Sequence, residues 1–139
     1  MARILIIEDN ADHRALFGRF LECAGHRTIG AAAGADGLLC ARQQLPDLIM
    51  LDLRPPDLDG WAVAHILKSN PRTQHIPVLI MTAEPLARER IAAQAFEYDA
   101  ILLKPFNIDI FLATVARLLA IQPCHPAAAG ERCMLYTPN

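Results

Sequence analysis

Four short apolar runs of the chain are each followed directly by a polar residue. They are ILII at 4–7, LIML at 48–51, VLIM at 78–81 and ILL at 101–103. Runs that are apolar at every position are typical of parallel strands buried on both faces. The segment RTIGA at 27–31 is less apolar, and it is predicted to be a strand at the edge of the sheet.

Between these runs, apolar residues repeat with the period of a helix in five segments. The segments contain, in order, Leu16, Phe17, Phe20, Leu21 and Ala24; Leu38, Leu39, Ala41 and Leu45; Val63, Ile66 and Leu67; residues from about 86 to 95; and Phe111, Leu112, Val115, Leu118 and Leu119. Five rounds of strand then helix predict an α/β fold. Its parallel sheet is expected to be covered on both faces through right-handed crossovers.

The residues that follow the strands carry the candidate chemistry, because open parallel sheets bind ligands outside the carboxyl ends of their strands. Glu8 and Asp9 follow the first run, and Asp52, Thr82 and Lys104 follow the other three. Each has an ordinary explanation when taken alone, such as helix capping for the two acids or a solvated loop charge for the lysine. Together, three acids, a hydroxyl and an amine at one edge predict a functional site.

Three neighbouring carboxylates repel one another, so without a cation the pKa of at least one should rise. Mg²⁺ suits such a site, because it takes oxygen ligands and is typically held by one or two carboxylates together with phosphate. Asp9 and Asp52 are expected to bind the ion directly, and Glu8 through water. The cofactor predicted for this site is therefore Mg²⁺.

The chemistry that this set of residues predicts is phosphoryl transfer to the Asp52 carboxylate. A transferring phosphoryl group spreads charge over its oxygens, and a site for it needs positive charge and hydrogen-bond donors aimed at them. Lys104, the Thr82 hydroxyl and the Ala83 amide are the expected donors. Asp52 is thus the predicted phosphoacceptor.

The length, charge and apolar content of the chain bear on its domain organisation, its partners and its location. A chain of 139 residues fits one domain, predicted at 1–121, with a flexible tail at 122–139 that is rich in Pro, Ala and Gly. The net charge of −2, without a basic cluster, argues against a nucleic-acid partner. No apolar run approaches the roughly 18 residues of a membrane span, and the amino terminus does not resemble a secretory signal. We therefore expect a cytoplasmic protein that does not insert into a membrane.

Four motifs resemble the receiver domains of two-component response regulators, of the stand-alone kind that chemotaxis regulators represent. They are IIEDN at 6–10, LDLRPPDLDG at 51–60, MTA at 81–83 and LLKPF at 102–106. The resemblance implies a flavodoxin-like sheet with strand order 2-1-3-4-5. It also implies phosphorylation of Asp52 by a phosphohistidine on a histidine kinase or histidine phosphotransfer protein, with Mg²⁺ present. Output would pass through helix four, strand five and helix five to an unknown downstream protein.

The resemblance assigns further positions near the site. The backbone carbonyl of Arg54 would complete the metal ligands, and the side chains of Arg54 and Glu84 would tune the lifetime of the phosphate. The alternative is that these two side chains are simply solvated at a loop edge, where ion pairs contribute under about 1 kcal/mol. His13 is expected to contact the phosphodonor, with plain surface exposure as the alternative.

The chain departs from the family pattern in strand five. The family usually has an aromatic residue three positions before the lysine, and it serves as a conformational switch; Ile101 stands there in this chain. Glu97 and Tyr98 also replace a usual Gly-Ala pair. Tyr98 either supplies the missing ring or packs against the end of helix four.

Two other functions remain open. The first is a receiver-like scaffold that binds partners without phosphorylation, which the absent aromatic residue favours. The second is a phosphatase of small substrates with an Asp nucleophile. The leading prediction is a signalling protein that is not an enzyme in the usual sense, because it catalyses only its own phosphorylation and dephosphorylation.

Overall fold

The computed structural model describes residues 2–52, 60–82, 98–104 and 106–120 of the chain. The fourth predicted helix, at about 86–95, and the predicted tail at 122–139 lie outside these residues. Within them, no helix is both long enough and apolar enough to cross a bilayer.

Five strands form one parallel sheet, as the apolar runs predict. They are β1 (Arg3–Ile7), β2 (Arg27–Ala31), β3 (Leu48–Asp52), β4 (Val78–Thr82) and β5 (Ala100–Leu103). Their order is β2-β1-β3-β4-β5, so the predicted doubly wound, flavodoxin-like topology is confirmed. Every residue of β3 and β4 is buried, whereas β2 lies at the edge with Arg27 and Gly30 exposed, as expected of the least apolar strand.

Four helices cover the two faces of the sheet in the described part of the chain. They are α1 (Ala11–Cys23), α2 (Gly34–Gln44), α3 (Gly60–Ser69) and α4 (Ile108–Ala120), the last being the fifth predicted helical segment. Alternate residues of β1 point to opposite faces, because side chains alternate along a strand. Leu5 and Ile7 join a core cluster with α2 and α3, whereas Ile4 and Ile6 join a second one with α1 and α4.

Four of the predicted core leucines and isoleucines are instead exposed over more than 40% of their surface: Leu16, Leu39, Leu45 and Ile66. Adjacent helical residues lie about 100° apart, so only one of two neighbouring apolar side chains can face the sheet. Phe17 and Leu67 take the buried position beside Leu16 and Ile66. Leu45 lies beyond α2, in a left-handed conformation (φ 47°) that ends the helix.

The buried face of α2 consists of small residues, namely Gly34, Gly37 and Ala41. A Cβ atom added at Gly37 would collide with the Cδ1 atom of Ile7 and would lie 2.6 Å from its Cγ1. Ile7 is fully buried in β1 and packs within a core cluster. The glycine therefore permits the close approach of α2 to the sheet.

A buried ion pair links the starts of β4 and β5, at the end of the sheet opposite the carboxyl edge. The Lys68 ammonium donates to Asp99 Oδ2 at 2.8 Å and to the Ile76 carbonyl at 2.9 Å. The same Asp99 oxygen accepts from the Val78 amide at 2.8 Å. Because both charged groups are almost completely buried, this network joins α3 to two strands of the sheet.

We expect Gly37→Ala to destabilise the fold by about 1–3 kcal/mol, because the added methyl group overpacks a filled core. Gly18→Ala is the matched control. Its Cβ would meet Thr28 Oγ1 at an ordinary 3.5 Å in the middle of α1, so it should stabilise by roughly 0.5–1 kcal/mol. Urea unfolding of both variants measures the two changes, and equal effects would contradict the close approach of α2.

Candidate functional site

The ends of four strands meet at the carboxyl edge of the sheet. Glu8 and Asp9 follow β1, Asp52 and Thr82 are the last residues of β3 and β4, and Lys104 follows β5. Since β1, β3, β4 and β5 are neighbours in the sheet, these residues lie along one edge, as the sequence predicts. Glu8, Asp52 and Thr82 are buried, Lys104 is half-buried and Asp9 is exposed.

The three acids form a compact cluster. One carboxylate oxygen from each of Glu8, Asp9 and Asp52 lies within 4.8 Å of the others. Such spacing lets the oxygens surround a hard divalent cation, with one carboxylate open to solvent and two at the base of the site.

Lys104 supplies positive charge to this cluster. Its Nζ atom lies 3.4 Å from Glu8 Oε1 and 3.5 Å from Asp52 Oδ2. The Lys104 amide donates to the Thr82 carbonyl at 2.7 Å, which extends the pairing of β4 and β5 by one residue. The lysine is therefore held at the edge by its backbone while its amine faces two acids.

Burial and the Asp52 carboxylate raise the pKa of Glu8 to about 7, against the lowering effect of Lys104. A hydrogen bond with the Asp52 carboxyl adds to the rise, and the Asn10 amide opposes it. The expected rise of a pKa in the acidic cluster is confirmed, although burial contributes more to it than the predicted repulsion between carboxylates. One lysine does not balance three acids.

The loop between β1 and α1 is capped by Asn10, a residue that the sequence reasoning missed. Asn10 Oδ1 accepts from the amides of Asp12 at 2.9 Å and His13 at 3.1 Å. The alternative explanation of Glu8 and Asp9 as helix caps is therefore wrong, and both remain available for other roles. An Asn before a helical run is itself a capping signal.

Arg14 is a second residue that motif reasoning missed. Its Nη1 atom donates to the backbone carbonyl of Glu8 at 2.6 Å. A surface arginine on a helix gives no sign in the sequence that its side chain turns back to the preceding strand. This contact depends on the crossover geometry of β1, α1 and β2.

The structure describes two further predicted positions, Ile101 and His13. Ile101 is buried in the core cluster that includes Leu5 and Ile7, and it pairs with Ile80 of β4. His13 is exposed, with its ring 6.3 Å from that of Phe17. Arg54, Ala83, Glu84 and Glu97 lie outside the described residues.

Tyr98 does not supply a ring at the carboxyl edge. Leu103 pairs with Thr82, and Tyr98 precedes Leu103 by five residues, or roughly 16 Å along a strand. Tyr98 instead packs, half-buried, against the core cluster that contains Ile101.

Comparison with known proteins places this geometry in a family. The family model of the response regulator receiver domain matches residues 4–116. The DNA-binding dual master transcriptional regulator RpaA of Synechocystis is 40% identical over 129 residues, which are 93% of this chain and 54% of that protein. The chain therefore spans about half the length of RpaA. The polar-differentiation response regulator DivK of Brucella ovis is 31% identical over 116 residues, covering 84% of this chain and 94% of DivK.

One solved structure with a similar fold contains a magnesium ion. It is the receiver domain of the sensor histidine kinase PA1611 from Pseudomonas aeruginosa PAO1, with a magnesium ion coordinated in the active site cleft. The TM-score is 0.78 at 25% identity, over 86% of this chain and 98% of that one. Because the family model covers residues 4–116 and DivK is similar over nearly its whole length, the chain belongs to the response regulator receiver domain family of two-component signalling.

Proposed function

We propose that this protein is a single-domain response regulator of the cytoplasm that accepts a phosphoryl group from a phosphohistidine onto Asp52. The observation that carries the proposal is the approach of one amine, Lys104, to within 3.5 Å of both Glu8 and Asp52 at the carboxyl edge. The phosphodonor would be a histidine kinase or a histidine phosphotransfer protein. The signal would pass to a downstream protein by direct binding or by phosphorelay.

Mg²⁺ is the proposed cofactor, and the donor set fits it. The cluster offers carboxylate oxygens only, and a cation would stabilise the charged form of Glu8, which burial and the Asp52 carboxylate disfavour. Asp9 and Asp52 would bind the ion directly, Glu8 through water, and the Arg54 carbonyl would complete the set. When bound, the ion neutralises the acids and part of the charge on the phosphoryl oxygens.

In the proposed reaction an Asp52 carboxylate oxygen attacks phosphorus. The new oxygen–phosphorus bond forms as the bond from phosphorus to the donor's imidazole nitrogen breaks, and the imidazole leaves with that electron pair. The Lys104 amine would pair with one phosphoryl oxygen, and the Thr82 hydroxyl and the Ala83 amide would donate to another. Arg54 and Glu84 would set how fast water hydrolyses the aspartyl phosphate.

Output must differ from that of family members with an aromatic residue at the switch position. Ile101 has no ring to turn inward, and Tyr98 lies at the other end of β5. We propose that binding of Thr82 to phosphate is passed on through the packing of Ile101 in the core. His13, exposed on the first turn of α1, would contact the phosphodonor. The receiver domain would extend over 1–121, and 122–139 would be a flexible tail.

A specific alternative is a scaffold that binds partners without phosphate. Ile101 at the switch position is the observation in its favour. The complete set of Asp9, Asp52, Thr82 and Lys104 opposes it, because a scaffold gains nothing from keeping repelling acids together.

We expect the protein to gain the mass of one phosphoryl group when it is incubated with acetyl phosphate and Mg²⁺. Asp52→Asn should gain none, because an amide is not a nucleophile here. Asp36→Asn, at an exposed position in the first turn of α2, is the matched control and should be modified like the wild type. Intact-mass spectrometry measures all three, with Mg²⁺-dependent beryllofluoride binding as the readout if the adduct hydrolyses quickly.

Absence of both the modification and beryllofluoride binding would favour the phosphate-independent scaffold. Steady turnover of a small phosphate ester that requires Asp52 would instead favour the phosphatase. Modification of Asp52→Asn to the wild-type level would remove Asp52 as the phosphoacceptor.

The raised pKa of Glu8 predicts that a rise in pH lowers the stability of the protein without Mg²⁺ and increases its affinity for Mg²⁺. The pKa is about 7 in the folded protein against 4.5 normally. The stabilisation by a protonated Glu8 is therefore complete below about pH 4.5 and is lost as the pH rises through 7. Mg²⁺ binding requires loss of this proton, so the affinity should rise up to about tenfold per pH unit below pH 7 and then level off.

Calorimetric titration with Mg²⁺ and thermal melts in chelator, both over a pH series, test this prediction. Glu8→Gln cannot lose a proton and should flatten both pH dependences. An unchanged pH dependence of Mg²⁺ affinity in Glu8→Gln would show that another group is responsible.

A further inference from the structure

Arg14 holds both ends of the segment that carries the exposed acid of the cluster. Its guanidinium donates to the Glu8 carbonyl at 2.6 Å, and its own amide donates to the Asn10 carbonyl at 2.9 Å. Asp9 lies between these two carbonyls. Together with the bonds of the Glu8 amide and the Asn10 side chain, these two bonds restrict the direction in which Asp9 leaves the backbone.

The stem of Arg14 reaches Glu8 by passing over Gly30 on the edge strand β2. A Cβ atom at Gly30 would lie 3.1 Å from Arg14 Cδ and 3.4 Å from Nε, closer than side chains normally pack. Gly inside a strand is unfavourable unless another group approaches closely. Gly30 thus leaves the room through which the arginine reaches the loop.

The positive charge of Arg14 and its hydrogen bond should act on a bound cation in opposite directions. The charge repels a divalent ion, whereas the bond holds the acidic loop in one geometry and so reduces the ordering that binding requires. Arg14 bonds a main-chain carbonyl, whereas Lys104 faces the carboxylates themselves. A bond to a carbonyl fixes backbone geometry, which is the contribution that a positioning residue makes.

We propose that Arg14 is a positioning residue for the acidic cluster, and that its bond across Gly30 to the Glu8 carbonyl strengthens Mg²⁺ binding. This inference rests on the proposed function, because it assumes that Glu8, Asp9 and Asp52 hold the ion. The sign of the effect separates positioning from charge. Loss of a purely electrostatic Arg14 would tighten Mg²⁺ binding, whereas loss of a positioning Arg14 weakens it.

The first experiment measures the Mg²⁺ dissociation constant of Arg14→Met and Arg14→Lys by calorimetry, at a pH above the pKa of Glu8. Removal of residues that orient metal ligands typically weakens binding 10–100-fold, and we expect about tenfold for Arg14→Met. Arg14→Lys keeps the charge and one donor but loses the planar guanidinium, so it should bind with intermediate affinity. Arg19→Met removes a charge from an exposed position of the same helix and should leave the affinity nearly unchanged.

The second experiment perturbs the arginine from the other side. Gly30→Ala keeps every side chain of the site but presses a methyl group against the Arg14 stem. We expect Mg²⁺ binding a few-fold weaker than in the wild type. In the Arg14→Met background the same substitution should have no further effect, because Met has no guanidinium through which a displaced side chain could act on the Glu8 carbonyl.

Thermal unfolding in the presence of chelator separates a positioning role of Arg14 from general destabilisation. Each variant should unfold cooperatively and be fully folded at the titration temperature. Unchanged or tighter Mg²⁺ binding by Arg14→Met would overturn the inference while leaving the proposed function intact. If Arg14→Met did not fold, full wild-type affinity in both Arg14→Lys and Gly30→Ala would overturn it equally. Failure of the wild type itself to bind Mg²⁺ would remove the proposed function, and this inference with it.

Discussion

Repulsion among acids at the end of a parallel sheet is the constraint around which this molecule is built. Glu8 and Asp52 are buried at adjacent strand ends, where water cannot screen their charges. Burial and the neighbouring Asp52 carboxylate raise the pKa of Glu8, and the Lys104 amine offsets only part of that rise. A bound cation would supply positive charge that this cluster lacks, and it would also offset the negative charge of an incoming phosphoryl group.

The same constraint explains why the loop after β1 is so completely bonded. The Glu8 amide donates to the Ala31 carbonyl, the Asn10 amide donates to the Glu8 carboxylate, and Asn10 caps α1. Acids that repel each other stay together only if their backbones have little freedom to separate. The bonds of this loop therefore hold the acids together, and the cap of α1 is supplied by Asn10 rather than by Glu8 or Asp9.

Sequence reasoning succeeded where one rule dominated. Fully apolar runs of three or four residues predicted the buried strands, and the topology of a parallel sheet brought Glu8, Asp52 and Lys104 to one edge. It failed where two neighbours competed for one position. Leu39 is exposed because small residues give α2 its buried face, and periodicity counts apolar residues without asking how closely a helix can approach.

Sequence patterns also did not predict contacts between residues that are distant in the chain. The bond from Arg14 to the Glu8 carbonyl requires the position of β2 relative to α1, which no local pattern contains. Tyr98 shows the same limit in another form. Its proximity to Ile101 in sequence suggested a replacement ring, but strand register places it far from Thr82.

The buried ion pair of Lys68 and Asp99 is a site at which stabilising substitutions can be designed. Apolar groups often replace a buried ion pair without loss of stability, provided that no polar group is stranded. Asp99 also receives the Val78 amide, so position 99 must keep a hydrogen-bond acceptor, which Asn provides and Leu does not. Because the pair joins the starts of β4 and β5, thermostable versions can be designed there without redesigning the opposite end of the sheet, where the acids lie.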